Sequence, residues 1–273
     1  MKKYLNLLCV EPEKIKTPII ILCAASLISY VFSLFGIKFI KSAFFIVAAC
    51  VFAYVFIKNI KKFKYMFFFL ILLFILYLSF KNKIIYALND LVNHSSIKFA
   101  LTDYIFKTFG IYDFNDLFLY KSPGGAIYNG NVIVTGAANI FKINPQYENI
   151  SKYLTFQYFL LFSSLSLCTL LFIKQRNITL CLIMATSFLT GNITPILVYL
   201  LFTQPINYLI LMLFGCALNL SAVILNVKIG FVNNPSIFEL LILNENKIYS
   251  FLVCLLVYCI SLYVFFVVNK HKL

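Results

Sequence analysis

The sequence predicts an all-α, polytopic transmembrane protein of about six to eight spans, with one re-entrant or broken helical element and a small irregular or β-hairpin region. Three observations carry that prediction. Of 273 residues, 62% are hydrophobic and 12% are charged, against about 25% charged in soluble domains, and the mean hydropathy is +0.94. Apolar runs approach the ~17–25 residues that a bilayer-crossing helix needs, and they recur along the chain. One apolar stretch, "SFLTGNITPILVYLLFTQP" from Ser187 to Pro205, carries residues that break helices or require hydrogen-bond partners.

Residues 1–92 hold a basic head and three spans: Pro18–Phe35, Ala43–Ile57 and Tyr65–Phe80. The first reads as a retained helix rather than a cleaved signal peptide. Glu11 and Glu13 precede it, and no small-residue cleavage pattern follows. The run "KNIKKFK", Lys58 to Lys64, is the densest basic segment. The positive-inside rule puts it and the head in the cytoplasm, consistent with two helices between them.

Residues 93–153 differ in kind, and read as a loop or re-entrant region. Gly124, Gly125, Gly130 and Gly136 cluster there with Pro123 and Pro145, which is turn chemistry. Asn129-Gly130, between "AIY" and "NVIV", is a hairpin signal. Backbone outside a helix cannot face lipid. Two placements therefore stand: a surface loop with a hairpin, or a partly re-entrant segment lining a cavity.

Residues 154–273 return to spans: Thr155–Ile173, Ile178–Leu189, Tyr208–Leu225 and Ile248–Val268. "KQR", Lys174 to Arg176, makes a basic turn. In the stretch that follows, Gly191 and Pro195 are expected to interrupt the helix, and Pro205 to punctuate it again. Such interruptions are tolerated where they line a water-filled or solute cavity, here with main-chain amides offered to the solute. A kinked but continuous helix is the alternative.

The formal net charge of +14 belongs to loops beside spans, where basic residues meet anionic lipid headgroups. No nucleic-acid motif accompanies it. The eight cysteines lie mostly in apolar segments without CxxC pairs, so neither a metal site nor a disulfide framework is expected, and no cofactor motif is visible. Cys9 is the one expected to meet water. GxSxG, HExxH and GxxxxGK[ST] are absent. His94 and His271 are the only histidines, the first read as interfacial and the second as part of the basic tail.

A family resemblance covers roughly residues 93–273. "KQRNITLCLIMATSFLTGNITPILVYLLFTQPINYLILMLFGCALNLSAVILNVKIGF" resembles the enzyme IIC transport domain of the bacterial phosphoenolpyruvate–sugar phosphotransferase system, glucose superfamily. That family carries a basic turn, a helix ending "TSFLTGITEPIEF", an apolar stretch ending "AP", another helix and then "LGVKLGF". Gly191, Pro195, Pro205 and "NVKIGF" fall in register. Upstream, "FALTDYIFKTFGIYDFND" is similar to the family segment ending "FGLHHIWN", and "YNGNVIVTGAANIF" to the loop after it. The first 92 residues are too short for the family's usual N-terminal helices.

The resemblance implies a sugar-permease component in a bacterial cytoplasmic (inner) membrane, N-terminus inside and assembled as a homodimer. It also implies departures. The family's glutamates fall on Thr194 and Leu197, and its paired histidines on Tyr112 and Asp113. Thr194 can hydrogen-bond a sugar hydroxyl but cannot take a proton at neutral pH. No stretch resembles the IIB domain whose cysteine carries phosphate, so phosphotransfer would require separate IIB and IIA partners.

Two functions are therefore expected in competition. In the first, a sugar sits between the Gly191–Pro195 break and the Tyr112–Asn115 turn. Asn192, Thr194, Asp113 and Asn115 bind its hydroxyls, and Tyr112 stacks on the ring. In the second, the chain has kept the fold, lost transport, and serves as an assembly partner or regulator.

Overall fold

The computed structural model describes residues 9–35, 39–59, 92, 95–130, 132–147, 150–230, 235–243 and 247–270, without the side chains of 39–43, 45, 56–59 and 113. The expected span Tyr65–Phe80, together with His94 and His271, lies outside the described residues.

The chain is all-α apart from one hairpin. The helices are α1 (Pro12–Leu34), α2 (Phe39–Asn59), α3 (Ser96–Thr108), α4 (Asp113–Tyr120), α5 (Ala137–Ile143), α6 (Ser151–Gln175), α7 (Ile178–Thr190), α8 (Thr194–Thr203), α9 (Pro205–Ile224) and α10 (Lys247–Asn269). Among the described residues, α1, α6, α9 and α10 are long and apolar enough to cross a membrane. Their bounds lie within a few residues of the runs read from the sequence.

The architecture is a bundle around α6, which is buried along most of its length and packs on α10, α9 and α7. The apolar run explains the helix but not its burial, since α10 is more hydropathic and sits at the periphery. What distinguishes α6 is small polar residues. Ser163, Ser164 and Ser166 donate to carbonyls of their own helix at 2.7–3.1 Å, and this leaves a slim, internally satisfied surface for close neighbours. By contrast α10 exposes Leu252, Leu256 and Tyr263, a face compatible with lipid.

Helix ends follow local chemistry. Arg176 stops α6 in the left-handed conformation, φ 48°. Asn177 caps α7 by accepting from Thr179 N at 2.9 Å. Ser95 caps α3 in the same way through Lys98 N at 3.3 Å. After α9 the chain turns back and is pinned to α6. Thr155 Oγ1 donates to the Val227 carbonyl at 2.5 Å and accepts from Ile229 N at 3.1 Å.

Residues 93–153 hold more helix than their turn-rich composition predicts: α3, α4 and α5 all lie there. The hairpin forms as expected, β1 (Ala126–Asn129) antiparallel to β2 (Val132–Thr135), with Asn129 paired to Val132. Its Tyr128, Val132 and Ile133 are exposed. α3 instead enters the bundle and packs on α9 and α8.

Candidate functional site at the broken helix

The break at residues 191–193 is real. α7 ends on Gly191 in the left-handed region, φ 71°, and α8 begins at Thr194 with Pro195 in its first turn, where a missing N–H costs nothing. A Cβ at Gly191 would lie 2.7 Å from the Pro235 carbonyl carbon and 2.8 Å from Ser236 N. Only glycine admits that approach. A second break, Gln204 before Pro205, separates α8 from α9.

Against the expectation, the main-chain amides of Asn192 and Thr194 are spent within the chain rather than offered to a solute. Asn192 N donates to Thr190 Oγ1 at 3.1 Å, and Thr194 N donates to Asn192 Oδ1 at 3.0 Å. Asn192 thereby forms an Asx turn that starts α8. Its Nδ2 donates to Ser26 Oγ on α1 at 2.9 Å, and its Oδ1 accepts from the Tyr112 hydroxyl.

Thr194 is fully buried. Its hydroxyl donates to the Lys107 carbonyl at 2.7 Å and meets the Tyr112 hydroxyl at 2.8 Å. Since the Thr194 proton is spent on Lys107, the single Tyr112 proton faces two acceptors, Asn192 Oδ1 and Thr194 Oγ1. A phenol is neutral at physiological pH, so Tyr112 acts as a hydroxyl and does not substitute for a titrating histidine.

Around this network lies a cavity of about 30 Å³, lined by Ser26, Ser29, Tyr30 and Ser33 of α1 with Tyr112 and Asn192. That space suits about one water, far below the ~300–1,000 Å³ of small-molecule sites. The α1 residues were not singled out from sequence. Their spacing, i, i+3, i+4 and i+7 in an otherwise apolar run, is the signal that finds them. Thr194 is not among the cavity residues. Asn115 is buried on α4, away from the lining, and its Oδ1 accepts no hydrogen bond among the described residues. The side chain of Asp113 falls outside the description.

Beneath the site lies a buried ion pair that sequence reasoning passed over. Asp103 Oδ2 is 3.1 Å from Lys107 Nζ, and both side chains are almost wholly buried. Gln157 Nε2 on α6 donates to the same oxygen at 3.0 Å. Lys107 Nζ also stands 5.8 Å from the centre of the Tyr112 ring, within cation–π range. Opposite charges four apart in "LTDYIFK" were the legible signal. Glu239, the next acid after the break, is buried on the segment whose Pro235 and Ser236 close over Gly191, and Ser236 Oγ meets the Tyr30 hydroxyl at 3.2 Å.

The arrangement can hold and orient hydroxyl groups, and it offers no free base among its direct members. Among the described residues no three His, Cys, Asp or Glu side chains gather as a metal would require. Compared with models of known families, with curated proteins and with solved structures, the chain matches none.

Proposed function

We propose that this chain is an enzyme IIC-like sugar-permease component of a bacterial cytoplasmic membrane, with its solute site at the Asn192 break. One observation carries the reading most: a helix interrupted inside an apolar bundle, its Asn192 carboxamide facing Ser26 of α1 and Tyr112 across a small polar cavity. Interrupted helices persist in apolar surroundings where they serve a solute, and hydroxyl and amide groups are the donors and acceptors that a sugar requires. With the cavity at about 30 Å³, the described conformation is a closed one. Loading a hexose requires α1 and the Tyr112 turn to part. Threonine and leucine at the positions of the family's glutamates leave translocation without phosphorylation as the chemistry of this chain alone. IIB and IIA proteins and a second copy of the chain are the partners that the resemblance adds.

The second reading, a transport-inactive relative serving assembly or regulation, is favoured by the self-satisfied network. Thr194 spends its hydroxyl on the Lys107 carbonyl rather than on an open site. Uptake of labelled hexoses and disaccharides by a transport-null cell carrying the chain separates the two. Uptake lost in Asn192→Leu supports the permease. No uptake of any sugar by the unaltered, membrane-inserted chain, with no sugar raising its melting temperature, overturns it in favour of the second reading.

A further inference from the structure

The buried ion pair on α3 is incomplete in a specific way. Asp103 Oδ2 serves two partners, Lys107 Nζ at 3.1 Å and Gln157 Nε2 at 3.0 Å. Asp103 Oδ1 and Gln157 Oε1 accept no hydrogen bond among the described residues. Both side chains are buried, and the two oxygens have essentially no accessible surface, so no solute or water reaches them. Each is an acceptor, so neither can satisfy the other. A proton is the one ligand that adds a donor without adding volume.

A carboxylic acid and a primary amide pair through two antiparallel hydrogen bonds, N–H to one carboxyl oxygen and O–H to the amide oxygen. The first of these is in place between Gln157 and Asp103. The step that supplies the second is balanced: hydronium gives one proton to Asp103 and leaves as water, an O–H bond forms at Oδ1, and that O–H donates to Gln157 Oε1. Lys107 keeps its own proton, so the pair gains one positive charge.

We infer that Asp103 and Gln157 form a proton-binding site inside the bundle, and that proton uptake there releases Lys107 and loosens the Asn192 break. Ionisable side chains within apolar bundles serve as proton relays. Lys107 joins the two places. Its ammonium neutralises Asp103, its carbonyl accepts from Thr194 Oγ1 at 2.7 Å, and its Nζ stands 5.8 Å from the centre of the Tyr112 ring. The completed acid–amide pair keeps α3 docked on α6, while an ammonium stripped of its carboxylate is disfavoured in the bundle. Protonation therefore favours a form in which Lys107 and the Tyr112 turn move toward water, so the closed form weakens as the pH falls. The other titratable groups around the pair are Tyr104 on α3, Tyr112 in the turn, Asp116 on α4, Tyr208 and Cys216 on α9, and Cys168 on α6, while α8 faces it with Thr194. Among those with described side chains Asp116 is the other acid, and its charge acts on Lys107. The loosening rests on the solute site proposed at the break; the proton site does not.

The full-length chain, carrying carbon-13 at its aspartate carboxyls, is purified into phosphatidylcholine nanodiscs. Infrared difference spectra are recorded as the pH falls from about 8 to about 3, across the carboxylate range. An isotope-shifted carbonyl band of a protonated acid is expected. It survives Asp116→Asn, is lost in Asp103→Asn, and moves to higher wavenumber in Gln157→Leu, where the amide no longer bonds the carboxyl. Asp103→Asn also imitates the protonated charge, so at one fixed pH amide exchange at Asn192 and Thr194 speeds about tenfold, the loss of one charge-assisted hydrogen bond. Thr179, capped by Asn177 at the other end of α7, keeps its rate. The proton site is overturned if no band is lost with Asp103, or if the band is unmoved in Gln157→Leu; the latter decides where Asp103→Asn does not fold. The loosening is overturned if Asn192 and Thr194 exchange as before, or if Thr179 speeds equally. Sugar uptake is a separate readout, so these failures are distinguishable from failure of the permease reading.

Discussion

Replacing Gly191 by alanine tests the geometry on which the broken helix depends, and Gly130 supplies the control. Both glycines sit in the left-handed region, at φ 71° and 61°. That conformation costs an L-residue about 1–2 kcal/mol. At Gly130 nothing lies within 4 Å of an added Cβ, so Gly130→Ala bears that cost alone. At Gly191 the new Cβ falls 2.7 Å and 2.8 Å from backbone atoms of Pro235 and Ser236. Ordinary contact begins near 3.4 Å, so that segment must retreat by roughly 0.7 Å, an overpacking cost of about 1–3 kcal/mol. Gly191→Ala should therefore lose ~2–5 kcal/mol in all. For a chain of this size that is a fall of roughly 10 °C in melting temperature, against about 4 °C for Gly130→Ala. The assay is thermal unfolding in detergent, followed by intrinsic fluorescence of the tyrosines or by a thiol-reactive dye on the buried cysteines. Equal falls for the two variants would show that Pro235 and Ser236 do not close over the break, and the reasoning would fail.

Tyr112→Phe removes the proton that Asn192 and Thr194 share, and should cost ~1–3 kcal/mol. Combined with Thr194→Val it should be non-additive by ~0.5–3 kcal/mol in a melting cycle, and additivity would deny the contact. Asp103→Leu strands a buried ammonium and should lose ~3–5 kcal/mol, whereas adding Lys107→Met should recover most of it. A double variant as unstable as the single would refute the pairing. Thr155→Val cuts both hydrogen bonds that pin the return after α9. It should cost ~1–3 kcal/mol and speed amide hydrogen exchange at Val227–Ile229, and unchanged exchange there would count against the pin.

Much of the scaffold was legible because apolar length is a local property. The runs at Pro18–Phe35, Thr155–Ile173, Tyr208–Leu225 and Ile248–Val268 became α1, α6, α9 and α10, and the helix breakers Gly191, Pro195 and Pro205 broke where they stood. The hairpin followed from its turn. The site was harder, because it is made by elements distant in the chain. Asn192 was found through its local setting and Tyr112 through the family resemblance, but Ser26 reaches Asn192 across 166 positions, and no local pattern pairs them. Thr194 sat in a position suited to a ligand and instead closes the last turn of α3 through the Lys107 carbonyl. α3 was hidden for another reason. Asp103, Lys107 and Thr108 make its sequence look like surface, whereas each is buried with its partner, Gln157 or Tyr208 included.

The Asn192 carboxamide is a latch shared by three parts of the molecule. Turning it away breaks its bonds to Ser26, the Tyr112 hydroxyl and the Thr194 amide in one motion, while Tyr112 keeps its contact with the Thr194 hydroxyl. If the permease proposal holds, a solute that grips Ser26 or Tyr112 from the cavity side competes with this fastening, and occupancy and release become one equilibrium set at a single side chain.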